Sequence, residues 1–180
     1  MEVNVVGQVA VTQAVLPRLR AARGRVVFVS SLSGRGATPM FGPYNASKFA
    51  LEGIADALRM ELAPWGIRVA LVEPAATDTD LWRNADRDVD LATAALAPDH
   101  RTLYAKHLAG FRKTIPSAQR IAAPVDGVAA VIERALTDRR PRARYVVGRG
   151  PRVQLLVSQV LPTRVFDALV SAGNGVPRRP

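Results

Sequence analysis

The sequence predicts an α/β fold with a parallel sheet, built from about three strands and flanking helices. Two observations predict it. Short β-branched runs alternate along the chain with segments of helical periodicity, joined by short links. The first run, Val26-Val27-Phe28-Val29, is continuously apolar, the pattern of a buried strand.

Residues 3–20 read as the first helix. Val3, Val6, Ala10, Ala14 and Leu16 recur at near-helical spacing, and Gly24 follows as a stop. Arg25-Val26-Val27-Phe28-Val29 is a strand, bounded by Gly24 and a Ser/Gly-rich loop from Ser30 to Pro43. A long helix is expected over 44–63, its apolar face made by Ala46, Phe49, Ala50, Ile54, Ala57, Leu58 and Leu62, with Pro64 and Gly66 ending it. Ile67–Val72 is a second strand, broken by Pro74. The stretch 79–123 is polar and weakly periodic, a connection long enough to be a functional lid or partly disordered. An amphipathic helix over 124–136 precedes a third strand, 144–148. An amphipathic stretch from Val153 to Ser171, interrupted by Pro162, ends in a frayed tail, 175–180.

Composition narrows the function classes. The 180 residues are 48% hydrophobic, ordinary for a globular domain, and no apolar run approaches the roughly 20 residues that cross a bilayer. Met1-Glu2-Val3-Asn4 lacks the features of a secretory signal, and with no cysteine the chain is expected in the cytoplasm. The absence of cysteine excludes disulfides and thiol nucleophiles; His100 and His107 lie in a polar stretch without clustered carboxylates, so no metal site is expected. The formal charge of +10 is almost wholly arginine, usage of the kind GC-rich coding sequences produce. The densest patch is Arg139, Arg140, Arg142, Arg144, Arg149 and Arg152; without interleaved aromatics beyond Tyr145, no nucleic-acid role is expected.

Tyr44 and Lys48 stand four apart at the start of the long helix, on one face. An ammonium beside a phenol favours the phenolate, the tuning that acid/base work at neutral pH needs. Lys48 is the first of only three lysines, so the pairing is a rare coincidence, yet alone it reads equally as an exposed helix pair without a role. Ser31, thirteen residues before Tyr44, follows the first strand at the end where open α/β sheets place ligands.

Val26-Val27-Phe28-Val29-Ser30-Ser31 followed by Tyr44-Asn45-Ala46-Ser47-Lys48 resembles the strand, serine and Tyr-x-x-x-Lys helix of the classical short-chain dehydrogenase/reductase family. Asn4-Val5-Val6-Gly7, Gly66-Ile67-Arg68-Val69, Val72-Glu73-Pro74 and Thr79 agree in register, so the resemblance covers residues 1 to about 80. It implies the C-terminal part of a Rossmann-type doubly wound sheet, with 79–123 an α-helical substrate lid, 1–150 a partial domain and 151–180 an amphipathic extension. It further implies that Tyr44 is the general acid/base, Lys48 its partner and a ribose ligand, and Ser31 the group that polarises the substrate oxygen. Asn4 would anchor a relay water. Ser30 and Ser33 stay open as loop hydrogen-bonders beside Ser31, and Asn4 as a helix cap. Tyr44, Lys48, Pro74, Ala75, Thr77 and Thr79 would meet the cofactor, NAD or NADP.

Two departures stand out. Ala75 occupies a position where the family usually has glycine, close to the nicotinamide. The Gly-rich turn of the family's nucleotide-binding half is not in this sequence, and Gly148-Arg149-Gly150 lacks the context to replace it. The chain is therefore expected to be truncated, leaving open a non-catalytic fragment that acts through association. The lid's Leu81, Trp82, Leu91, Leu103, Tyr104 and Phe111 suggest a lipophilic alcohol or carbonyl substrate; core packing explains such residues as well. The C-terminal stretch resembles the retinol- and steroid-dehydrogenase-like branch. Peripheral membrane contact there, and a homo-oligomer through the helices 3–20 and 44–63, complete the expectations.

Overall fold

The computed structural model describes residues 1–177; the last three residues of the expected tail, 178–180, lie outside the described residues. A π-helical turn, Glu2–Gly7, leads into α1 (Gln8–Ala22), which crosses to β1 (Arg25–Val29). Next come α2 (Gly42–Glu61) and β2 (Arg68–Glu73), then α3 (Asp80–Arg83), α4 (Ala85–Ala94) and α5 (Pro98–Ile121). Helix α6 (Val125–Thr137), β3 (Arg144–Val146), α7 (Arg149–Val160) and α8 (Thr163–Gly173) complete the chain.

The three strands form one parallel sheet in the order β1-β2-β3, as expected. Arg25 pairs with Arg68 and Val29 with Val72; on the other side Leu71 pairs with Arg144 and Glu73 with Val146. Alternate residues of β2 feed two cores. Val69 and Leu71 pack with Phe28, Leu51, Ala55, Leu62 and Ile67 under α1 and α2, while Ala70 and Val72 pack with Val128, Ala135, Tyr145 and Val147 under α6. Each such fully buried leucine or isoleucine is worth about 1.5–3 kcal/mol over exposure.

Several boundaries differ from expectation, each for a local reason. The first helix starts with a π turn, so Asn4 lies in a widened turn rather than an α-helix. Its end is made by Arg23, which takes the left-handed conformation (φ 48°) ahead of Gly24, whose N–H bonds Leu19 O at 2.8 Å. Helix α2 starts two residues early because Pro43 suits a first turn. Strand β3 stops at Val146, and Gly148 (φ 93°) turns the chain into α7, which begins four residues before the expected amphipathic stretch. Pro162 breaks the stretch as anticipated and precedes α8.

The weakly periodic 79–123 stretch is helical almost throughout. Its pattern was faint because the 24-residue α5 buries only Ile115 fully. Backbone bonds tie both ends of this excursion together: Ala123 N–H donates to Ala76 O at 2.8 Å and Asp78 N–H to Ala123 O at 2.9 Å. Near its middle, Gly110 of α5 lies backbone to backbone against Gly175, leaving no room for a Cβ on either.

Candidate active site

The carboxyl ends of β1 and β2 carry two loops that lie side by side. Ser30 N–H donates to Val72 O at 2.8 Å and Leu32 N–H to Pro74 O at 3.0 Å. The sequence-predicted residues of both loops thereby come to one edge of the sheet, the ligand-binding edge of open α/β folds. Phe41 packs edge-on against Phe111, centroids 5.5 Å apart, joining α5 to the start of α2.

Tyr44 and Lys48 share a face in the first turns of α2, with the ammonium 5.8 Å from the phenol ring centroid. The phenol side chain is open to solvent (39% exposed), whereas Lys48 is buried (8%). Its Nζ donates to Val29 O at 3.0 Å, fixing the side chain across the end of β1. Burial pushes the Lys48 pKa below its ordinary value, and the charge of Glu52, one turn on, partly opposes this.

Ser31 is the N-cap of a short 3₁₀ turn, Leu32–Gly34, and its Oγ accepts from Ser33 N–H at 3.1 Å. The strand ends at Val29, two residues before it. The neighbouring Ser30 is nearly sealed (3% exposed), its Oγ buried without a partner, and Gly34 approaches so closely that a Cβ there would sit 3.0 Å from that oxygen. Of the two serines, only Ser31 is open enough to meet a ligand. Asn4 Nδ2 donates to Ser47 Oγ at 3.1 Å, and Ser47 Oγ donates to Tyr44 O at 2.7 Å. Asn4 thus braces the turn that carries Tyr44 and touches Ser47, the residue before Lys48.

On the second loop, Thr77 Oγ1 donates to Ala75 O (3.3 Å) and Thr79 Oγ1 to Thr77 O (3.3 Å). Thr79 precedes α3 without capping it through its side chain. Of the residues suggested for a substrate pocket, Leu81, Leu91 and Leu103 are 63–65% exposed. A cavity of about 810 Å³ lies instead in an open groove between α1 and β1, lined among others by Val3, Val11, Val15 and Val26. Tyr44, Lys48 and Ser31 are not among its lining.

Sequence reasoning missed a charged cluster beneath the site. Arg144 Nε bonds Glu52 Oε2 (3.0 Å) and Glu73 Oε1 (3.2 Å), and its NH2 bonds Asp56 Oδ2 (2.7 Å). Arg35 NH1 reaches Glu73 Oε1 at 3.4 Å. Glu73 is fully buried; burial, and then the charge of Glu52, push its carboxyl up to about 7 against the pull of Arg35 and Arg144. The available signals were a glutamate closing an apolar strand run and another one turn after Lys48.

A doubly covered parallel sheet with a Tyr-x-x-x-Lys helix at its carboxyl edge belongs to the Rossmann-type class. The family model described as short chain dehydrogenase matches residues 1–90, and the chain belongs to that family. An "NADPH-dependent 3-dehydrocapnine reductase" of Ornithobacterium rhinotracheale is 34% identical over 93% of this chain and 59% of its own length. Mouse "Retinol dehydrogenase 5" is 36% identical over 95% of this chain and 55% of its own. A short chain dehydrogenase from Burkholderia cenocepacia, solved in complex with NADP, superposes with a TM-score of 0.67 at 22% identity, covering 94% of this chain and 58% of that one, a likeness of fold. The chain thus spans between half and two thirds of the length of these relatives.

Proposed function

We propose that this chain carries the catalytic residues of an NAD(P)-dependent oxidoreductase that interconverts a lipophilic alcohol and its ketone or aldehyde. The carrying observation is the pairing of an exposed Tyr44 with a buried Lys48 pinned to Val29 O at the sheet's carboxyl edge. Similarity to a retinol dehydrogenase and a dehydrocapnine reductase supports the reaction class and an apolar substrate.

The residues present fit the nicotinamide end of the cofactor. Lys48 uses one of its three N–H donors on Val29 O, leaving others for a ribose hydroxyl. The Pro74–Thr79 loop, with Ala75, Thr77 and Thr79, lies beside it, tied to the Ser31 loop by Leu32 N–H. When bound, the cofactor would donate or accept the hydride. In the reductive direction Tyr44 Oη gives its proton to the substrate oxygen, which becomes the alcohol; in oxidation the same oxygen takes that proton back. Lys48 holds a positive charge near the phenol and so favours the phenolate that proton donation leaves. Ser31 Oγ donates a hydrogen bond to the substrate oxygen, polarising the carbonyl. Asn4 acts from behind, bracing the Tyr44 turn through Ser47.

A second reading, action through association, is favoured by the apolar groove along α1 and β1. The two separate in one experiment. The 180-residue chain is titrated with NADH and NADPH by fluorescence, then assayed on a panel of lipophilic alcohols and ketones, with Tyr44→Phe alongside. Saturable binding by both proteins, with turnover lost only in Tyr44→Phe by about 10³-fold, supports the enzyme reading. Absence of binding up to millimolar cofactor sinks catalysis by this chain alone.

A further inference from the structure

We propose that the outer face of α7, with the arginine-lined cavity beside it, is a docking surface for an anionic membrane. Val153, Leu156, Val157 and Val160 follow one another at i, i+3, i+4 and i+7, the spacing of a single apolar stripe. A stripe of that kind ordinarily faces a core. Here it faces water: the four are 60%, 63%, 41% and 82% exposed. The inward side of the helix is supplied by other residues, Leu155 and Ser158, which line small cavities with Gly36, Ala37 and Phe166. On α8, Val165 and Leu169 are likewise 46% and 58% exposed.

Charge decides what covers this face. From Arg139 to Phe166 there is not one aspartate or glutamate. Arg152, one turn before Leu156 and bordering the stripe, lines a cavity of about 240 Å³ with Arg134, Arg142 and Arg144, and no carboxylate is among its lining residues. Arg144 is held by Glu52, Asp56 and Glu73. Arg134, Arg142 and Arg152 are exposed, and they lie where phosphate head groups would come as the stripe sinks into the acyl boundary. A second copy docking face to face would set these arginines against each other, which disfavours it. Among the described residues no helix is long and apolar enough to cross a membrane, so the contact would be interfacial. The inference is independent of the oxidoreductase reading.

The test is co-sedimentation of the whole chain with phosphatidylcholine vesicles, with and without phosphatidylglycerol. Binding is expected only to the anionic vesicles and is lost in high salt, because surface charge attraction is screened. Leu156→Glu and Val160→Glu, both at exposed positions and checked for folding by circular dichroism, should each cut the bound fraction by about tenfold, and Arg142→Glu with Arg152→Glu should do the same. Failure to sediment with either vesicle overturns the proposal. So does unchanged binding by the folded variants, or a drop in oligomer mass on Leu156→Glu without a change in vesicle binding, which would assign the stripe to a second copy.

Discussion

Glu73 shows how much one side chain can carry out of sight. It closes β2, one residue before the Pro74 loop, and its Oε2 is buried without a partner. Since its carboxyl is pushed up to about 7, the folded chain holds this proton more tightly than the unfolded chain does. The stability this contributes is full below the ordinary glutamate range and is lost as pH rises through about 7. Glu73→Gln keeps the neutral form at every pH, so its thermal stability should fall less than wild type between about pH 6 and 8, by about 1 kcal/mol at the upper end. Equal slopes in the two proteins would mean that another group titrates. Arg144→Met, which leaves Glu52 and Glu73 without their shared guanidinium, should cost about 3–5 kcal/mol in urea unfolding at neutral pH. A loss under about 1 kcal/mol would show that the cluster is already neutralised.

At the scale of elements, the sequence was most legible where periodicity and punctuation agreed. β1 was readable residue for residue because Gly24 and Ser30 bracket a β-branched run, and α2 to within two residues at either end because Pro64 and Gly66 close an amphipathic stretch. The 79–123 stretch was not, since α4 and α5 bury one residue each, Ala85 and Ile115, and a helix with little buried surface leaves little pattern. That Tyr44 and Lys48 share a face of α2 followed from their spacing, whereas their reading as a site needed the flanking Ser31 and its strand. The Arg144 cluster did not, because β3 brings a residue 92 positions away to Glu52, a partner no local pattern encodes. The contact of α5 with the chain end was equally hidden in two unremarkable glycines. Gly110→Ala should push the segment around Gly175 off α5, since the added methyl has no space. Faster amide exchange in α8 and at Asn174, Gly175 and Val176, with the sheet unchanged, is the expected readout. Protection equal to wild type would show that the helix shifts to absorb the methyl.

For the whole molecule, the sheet is well covered on both faces yet β1 stands at its edge, next to the open groove of about 810 Å³. Val3, Val6 and Val11 are 55–82% exposed along that side. A continuous apolar surface beside an unpaired strand edge favours association. The purified chain should therefore sediment as more than a monomer, and Val6→Lys with Val11→Lys should raise the monomer fraction several-fold at about micromolar concentration. A wild-type monomer would assign the groove no role in self-association. The short backbone clasp of Ala123 to Ala76 and Asp78 has a broader consequence. It ties the two ends of the 79–123 excursion to the Ala75–Thr79 loop, while Phe111 on Phe41 and Gly110 on Gly175 hold its far part against the rest of the molecule. Residues 80–121 therefore enter and leave the fold at one point, so a stretch of different length joined between the same two ends should leave the register of the Tyr44, Lys48 and Ser31 framework unchanged.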